Sequence, residues 1–140
     1  MPRGTDIQRL RSRCITAERR VMQGCARALV PVLSAELDRE FRQGVDVMGK
    51  PFEPPKDGHR PPMVRSGTLR RSITVSARAS LRGWVVRLRS DTDYDHFLRD
   101  GTSRMQARRF IPRPSDPVPP AMDALIVRTM QRVVEREARP

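Results

Sequence analysis

Aromatic side chains are scarce in this sequence: four Phe, one Tyr and one Trp in 140 residues. Proteins that grip RNA or single strands need aromatic platforms on which bases stack, so that class is disfavoured. Histidine is confined to His59 and His96, and cysteine to Cys14 and Cys25. None of the four stands at metal-ligand spacing, and no zinc or other metal site is expected. No apolar run reaches the roughly 18 residues of a membrane span. Arg3, Arg9, Arg11 and Arg13 are not followed by an apolar stretch, so the start does not read as a secretory signal and a cytoplasmic place of synthesis is expected. The phosphate-binding loop, the dinucleotide glycine fingerprint and the nucleophile elbow are all missing. Ser66-Gly67-Thr68 has no base close in sequence, and Asp93-Tyr94-Asp95-His96 reads as a polar turn beside Tyr94 and Phe97 rather than an acid–base pair. The chain is therefore not expected to be an enzyme, and no catalytic, cofactor-binding or metal residue is assigned.

Lysine is also rare, with only Lys50 and Lys56, so the net charge of +12 is almost wholly carried by arginine. The excess is concentrated in residues 60–113, where thirteen Arg face four Asp. Such a segment suits nucleic acid or acidic protein surfaces. Arginine pairs in two-point fashion with carboxylates as well as with phosphates, so a protein interface fits as well as DNA. No segment combines helical periodicity with the one-sided basic face of a recognition helix.

The length suits a single domain, 1–140. Residues 5–43 carry apolar or small side chains at Ile7, Leu10, Cys14, Ala17, Val21, Cys25, Ala28 and Val32, with Leu29, Leu33 and Leu37 beside them. Spacing of three and four predicts an amphipathic helix, with Thr5 or Asp6 as its cap, a kink or division near Pro31, and a stop at Gly44. Cys14 and Cys25 lie about three turns, roughly 16 Å, apart on such a helix. That exceeds the ~7 Å a disulfide spans, so both read as buried thiols. Residues 44–67 are dense in Gly and Pro and read as a long loop, of the kind that is functional or orders on binding. Residues 68–90 alternate with period two and predict a β-hairpin, in which Trp84, Val86 and Leu88 share one face. Residues 91–117 read as loop with a short ordered piece at Tyr94–Leu98 and a short edge strand at Phe110–Pro114. The last helix is expected over 118–137, begun by Ser115 or Asp116, with Met122, Leu125, Ile126, Met130, Val133 and Val134 as its apolar stripe. Arg128, Arg132 and Arg136 lie on the opposite face, solvated or at a subunit contact. The fold class expected is α+β: long N- and C-terminal helices packed on a small antiparallel sheet, with long Gly/Pro-rich loops.

Three islands carry a family likeness. One is Gly49-Lys50-Pro51-Phe52-Glu53-Pro54, followed by Ser66-Gly67-Thr68-Leu69-Arg70-Arg71-Ser72-Ile73. Another is Tyr94-Asp95-His96-Phe97-Leu98-Arg99-Asp100-Gly101-Thr102, and the last is Met105-Gln106-Ala107-Arg108-Arg109-Phe110-Ile111-Pro112. In this order they resemble the bacteriophage virion-morphogenesis and tail-completion proteins, the neck proteins that join head to tail in P2-like and HK97-like phages. The chain departs from that pattern at Asp95, at His96, which stands one place early, and at Gln106 and Arg109, which replace prolines.

The resemblance implies a structural virion protein: a homo-oligomeric ring, expected as a hexamer, between the head connector or head-completion protein and the tail terminator or tail tube. DNA would be a passing genome, with no cofactor and no membrane. The candidate assembly interface is Lys50, Phe52, Arg65, Arg70, Arg71, Arg104, Arg108 and Arg109, on loops where binding surfaces tend to lie. Gly67, Leu69, Ile73, Tyr94, Phe97, Gly101 and Phe110 are the structural motif positions. Leu69 and Ile73 are expected to anchor the first strand while Arg70 and Arg71 point outward. Tyr94 and Phe97 are expected in the core, and Phe110 as a plug under the edge strand. Two other readings remain open at this point: a basic DNA-binding accessory protein and a minor tail-tube component.

Overall fold

A computed structural model describes residues 4–53, 56–58, 67–80, 83–104, 106–113 and 115–139. Its elements are α1 (Gly4–Gln43), α2 (Thr68–Ser72), β1 (Ile73–Ser80), β2 (Gly83–Ser90), α3 (Asp95–Asp100) and α4 (Pro120–Ala138). Arg65, Ser66, His59 and the side chain of Thr5 lie outside the described residues. The architecture is α+β, with a long N-terminal helix, a C-terminal helix and a two-stranded antiparallel sheet.

The helix α1 organises the rest, because both the hairpin and α4 pack on it. Leu29, Leu33, Leu37 and Phe41 recur every four residues and are buried on one stripe. Val47, Leu69, Ile73, Phe110, Ile111 and Met122 complete the core around them. The helix continues through Pro31 as a single element. A proline removes one backbone bond, and here burial of the leucines on both sides of it outweighs that loss.

The first half of the predicted apolar stripe is not covered. Every residue from Asp6 to Arg20 is exposed, including Ile7, Leu10 and Ile15. Cys14 is therefore exposed, against expectation, while Cys25 is buried. Burial raises the Cys25 thiol, with the nearby Arg136 charge acting in the opposite sense. The reason for the split is reach. The α4 side chain Val133 comes to 2.9 Å from where a Cβ on Gly24 would stand, and α4 ends five residues later at Ala138. Beyond that point no helix among the described residues lies beside α1.

The hairpin pairs Val75 with Leu88, Ala77 with Val86 and Ala79 with Trp84 on its inner face. Trp84, Val86 and Leu88 pack against the core, and Val85, Arg87 and Arg89 face water. Before the first strand, residues 68–72 form a helical turn where the sequence had predicted strand. Leu69 uses that turn to enter the core, and Ser72 Oγ donates to the Leu69 carbonyl at 2.6 Å, closing it. Gly67 precedes the turn at φ 75°, a backbone conformation costly for any residue with a Cβ. Gly67→Ala is expected to lower stability by about 1–2 kcal/mol in urea unfolding, with an unchanged slope.

Near the C-terminus, the predicted edge strand at Phe110–Pro114 does not form, and Pro114 lies outside the described residues. Phe110 and Ile111 are nevertheless buried, and the Phe110 ring meets Phe41 edge-on at 6.1 Å. Side-chain burial holds this segment without a ladder. Asp116 does not begin α4. Its carboxylate accepts from Arg113 N at 3.0 Å in a turn, and Pro120 is the first residue of the helix. Along α4, Met122, Thr129 and Val133 are buried, whereas Val134 is exposed, contrary to its place in the predicted stripe. No helix among the described residues is long and apolar enough to cross a membrane.

Two acidic side chains of α1 enter the packed region. Glu36 is bonded by Arg39 one turn on, and this ion pair holds its carboxyl below the ordinary range. Glu40 is only 2% exposed, and its Oε2 has no hydrogen-bond partner among the described residues. Loss of hydration, with Glu36 and Asp46 adding like charge, pushes its carboxyl up to about 8.

Candidate assembly interface

The loop that follows α1 is ordered by its own hydrogen bonds. Asp46 sets it: its carboxylate Oδ1 accepts from Met48 N at 2.9 Å and Lys50 N at 2.8 Å. Its backbone adds Asp46 N to Lys50 O at 2.8 Å and Gly49 N to Asp46 O at 2.9 Å. Phe52 N donates to Gly44 O at 2.8 Å, so residues 44–52 double back on themselves. An Asp three residues before a Gly is a turn signal legible in the sequence, and it was missed because the whole stretch read as undivided loop.

A second loop, residues 102–104 and 106–111, lies against the first. Val47 N donates to Arg109 O at 3.0 Å, and the Arg108 guanidinium donates to Glu53 O at 3.3 Å. Arg108 N donates to Leu98 O at 2.6 Å, which ties the same loop to α3. Gly101, at φ 75°, lets the chain leave α3 while its N–H donates to Phe97 O at 3.0 Å. Asp100 pairs with Arg113 at 3.0 Å across this turn.

Between the two loops runs a groove of about 760 Å³. Lys50, Lys56, Arg104, Arg108 and Arg109 line it, against Asp46 and Glu53, and Phe52 and Met48 supply apolar wall. Phe52 is half-buried and also packs on the core, so it fixes the groove to the body. A partly apolar trough edged by arginine suits a protein segment that presents carboxylates, through two-point hydrogen bonds.

Of the eight residues assigned to the interface from sequence, five therefore converge: Lys50, Phe52, Arg104, Arg108 and Arg109. Arg70 and Arg71 do not line the groove, and Arg65 is outside the described residues. Arg70 does not point outward. Its guanidinium donates to Ser34 O at 2.9 Å and Ser34 Oγ at 3.0 Å, and its Nε stands 2.6 Å from Asp38. It fastens the turn before β1 to α1, a role for which the sequence offered only a charged residue in a polar stretch. Arg71 is exposed, and its guanidinium lies over Gly67. Tyr94 and Phe97 are not core residues: they are 44% and 51% exposed, and Phe97 stacks on His96 at 3.9 Å between ring centres. The polar α3 turns Phe97 outward, Tyr94 just before it is exposed too, and only Leu98 from this island packs on the core. Leu69, Ile73 and Phe110 are buried as expected of them. Lys56 was not singled out and Gln106 was noted only as standing where the family has proline; neither was assigned to the interface, since that role emerges only where the two loops meet. Among the described residues no cluster of three acidic, His or Cys side chains is arranged to hold a metal ion. Compared with family models, curated proteins and solved structures, the chain shows no match.

Proposed function

We propose that this chain is a structural phage neck protein, acting in tail completion as a homo-oligomeric ring between head connector and tail terminator. The observation that supports the reading is that parts of two of the islands meet at one groove, with the third tied behind it. Residues 50–53 and 106–109 are distant in sequence, yet the Val47–Arg109 and Arg108–Glu53 bonds draw them to the two sides of a single basic groove, and the Arg108–Leu98 bond fastens the second of them to α3. Motif residues that gather at a surface groove have a binding role, because the core does not need their charge. The groove receives an acidic segment of a neighbouring subunit or of the head or tail protein, and the arginines supply orientation as much as affinity.

The deciding experiment is electron microscopy of lysates from the encoding phage with this gene deleted. Filled heads beside separate tails of normal length are expected. Intact infectious particles would overturn the reading, and tight DNA binding by the isolated protein that collapses with salt would then favour a DNA-binding accessory role. A finer probe is the double charge reversal of Arg104→Glu with Arg109→Glu. It is expected to weaken the groove contact on the order of a hundredfold and to leave separated heads and tails, while the melting temperature stays unchanged.

A further inference from the structure

The exposed first half of α1 carries a pattern that the fold of a single chain does not use. Ile7, Leu10, Cys14, Ala17 and Val21 recur at alternating spacings of three and four, which is the a/d repeat of a coiled-coil seam. The line is continuous with a packed one: its next member, Gly24, meets Val133 of α4. From Asp6 to Arg20, roughly 22 Å of helix, all residues are exposed. An apolar seam that a helix of the same chain covers at one end, and that no described residue covers at the other, is incomplete as it stands.

We infer that this segment pairs in parallel with the same segment of a second copy, forming a short two-stranded coiled coil with Cys14 facing its counterpart. Two independent features select that occupant. The β-branched residues Ile7 and Val21 hold a positions and Leu10 a d position, the choice that favours two parallel strands. The flanking charges agree. In parallel register each g residue faces the e residue five places on in the partner, which sets Asp6 against Arg11 and Arg13 against Glu18, opposite signs in both cases. Antiparallel pairing with a facing d would set Arg13 against Arg20 as well as Arg11 against Glu18, so its like-charge contact cancels its favourable one, whereas every charged flanking pair of the parallel register is favourable. The seam is only two heptads long, well short of the ~800 Å² per partner of a standard interface, so the pairing is weak and concentration-dependent. It goes beyond the neck reading and does not rest on it, since it is read from the exposed face of α1 and not from the groove.

The test uses the full-length protein and its own thiols, of which only Cys14 is exposed. Diamide oxidation is expected to give a covalent dimer on non-reducing gels. Cys14→Ser is expected to abolish that dimer, and Leu10→Asp to slow its formation at least about tenfold, because the seam no longer brings the thiols together. Cross-linking at an undiminished rate in Leu10→Asp would mean random collision and would overturn the pairing, as would absence of the cross-link at high protein concentration. Register is read by sedimentation of the reduced protein. Glu18→Arg is expected to weaken association about three- to tenfold by setting Arg13 against a new arginine, and Arg13→Glu combined with Glu18→Arg to restore it. Failure of the double variant to recover would overturn the parallel arrangement. None of these outcomes bears on whether a phage lacking the gene joins heads to tails, so the two proposals stand or fall separately.

Discussion

Phe110→Ala is expected to destabilise the fold by about 3–5 kcal/mol, the range for removing a buried phenyl ring. Phe110 is 1% exposed, touches Phe41 edge-on and sits in a segment that no strand ladder supports. Its loss removes the apolar anchor that keeps residues 106–111 against the core. A small domain holds only about 5–15 kcal/mol in total, so most of the population is expected to unfold well below the wild-type melting temperature. Calorimetry gives the stability change. The same variant should also lose the groove, because Arg109 O, the acceptor for Val47 N, lies one residue away. A loss under 1 kcal/mol would show that the ring is not the anchor described.

The second large effect is a pH dependence set by Glu40. Its carboxyl titrates near 4.5 when exposed and is pushed up to about 8 in the folded chain. Below about 4.5 both states hold the proton and folding bears no penalty from this group. As pH rises from there to about 8, the unfolded chain releases the proton and the folded one retains it, so stability falls continuously, by several kcal/mol in order of magnitude. Above about 8 the folded state ionises too and the loss levels off. Glu36 contributes with the opposite sign, because its ion pair with Arg39 lowers its carboxyl and that stability disappears as pH falls into the acid range. Urea unfolding from pH 5 to pH 8 is therefore expected to show declining stability in the wild type. Glu40→Gln, which keeps the shape and removes the proton equilibrium, is expected to flatten the decline and to be the more stable protein at pH 8. Parallel curves for the two proteins would show that Glu40 does not set the slope.

Hydrogen-bond geometry supplies much of what a reader of the sequence would not have placed. Arg70 looked like any member of a basic run, but Ser34 and Asp38 stand one turn apart on α1 and accept from it where the chain turns into β1. Tyr94 and Phe97 looked like core because aromatics usually are, but Tyr94 precedes the six-residue α3 on the outside, α3 carries Phe97 on its outer side, and only Leu98 is spent on the interior. Phe110 is buried as expected, and it reaches the core from a loop rather than from a strand. In each case the residue type was informative and its direction was not, since direction depends on neighbours far away in sequence.

Periodicity by itself determined the two long helices and the hairpin. Spacing of three and four gives α1 and α4, alternation gives the paired strands β1 and β2, and glycine and proline density marks the breaks between them. These signals are local, and local sterics and hydrogen bonding suffice to produce them. Only the tertiary structure decided which part of α1 is covered. The 40-residue helix repeats one apolar stripe along its length, but a 19-residue α4 and a hairpin of two eight-residue strands cover only its second half. The groove was likewise decided in three dimensions: its basic residues come from two loops some fifty positions apart, and only the packing of Phe52 and Phe110 on α1 brings them to face each other.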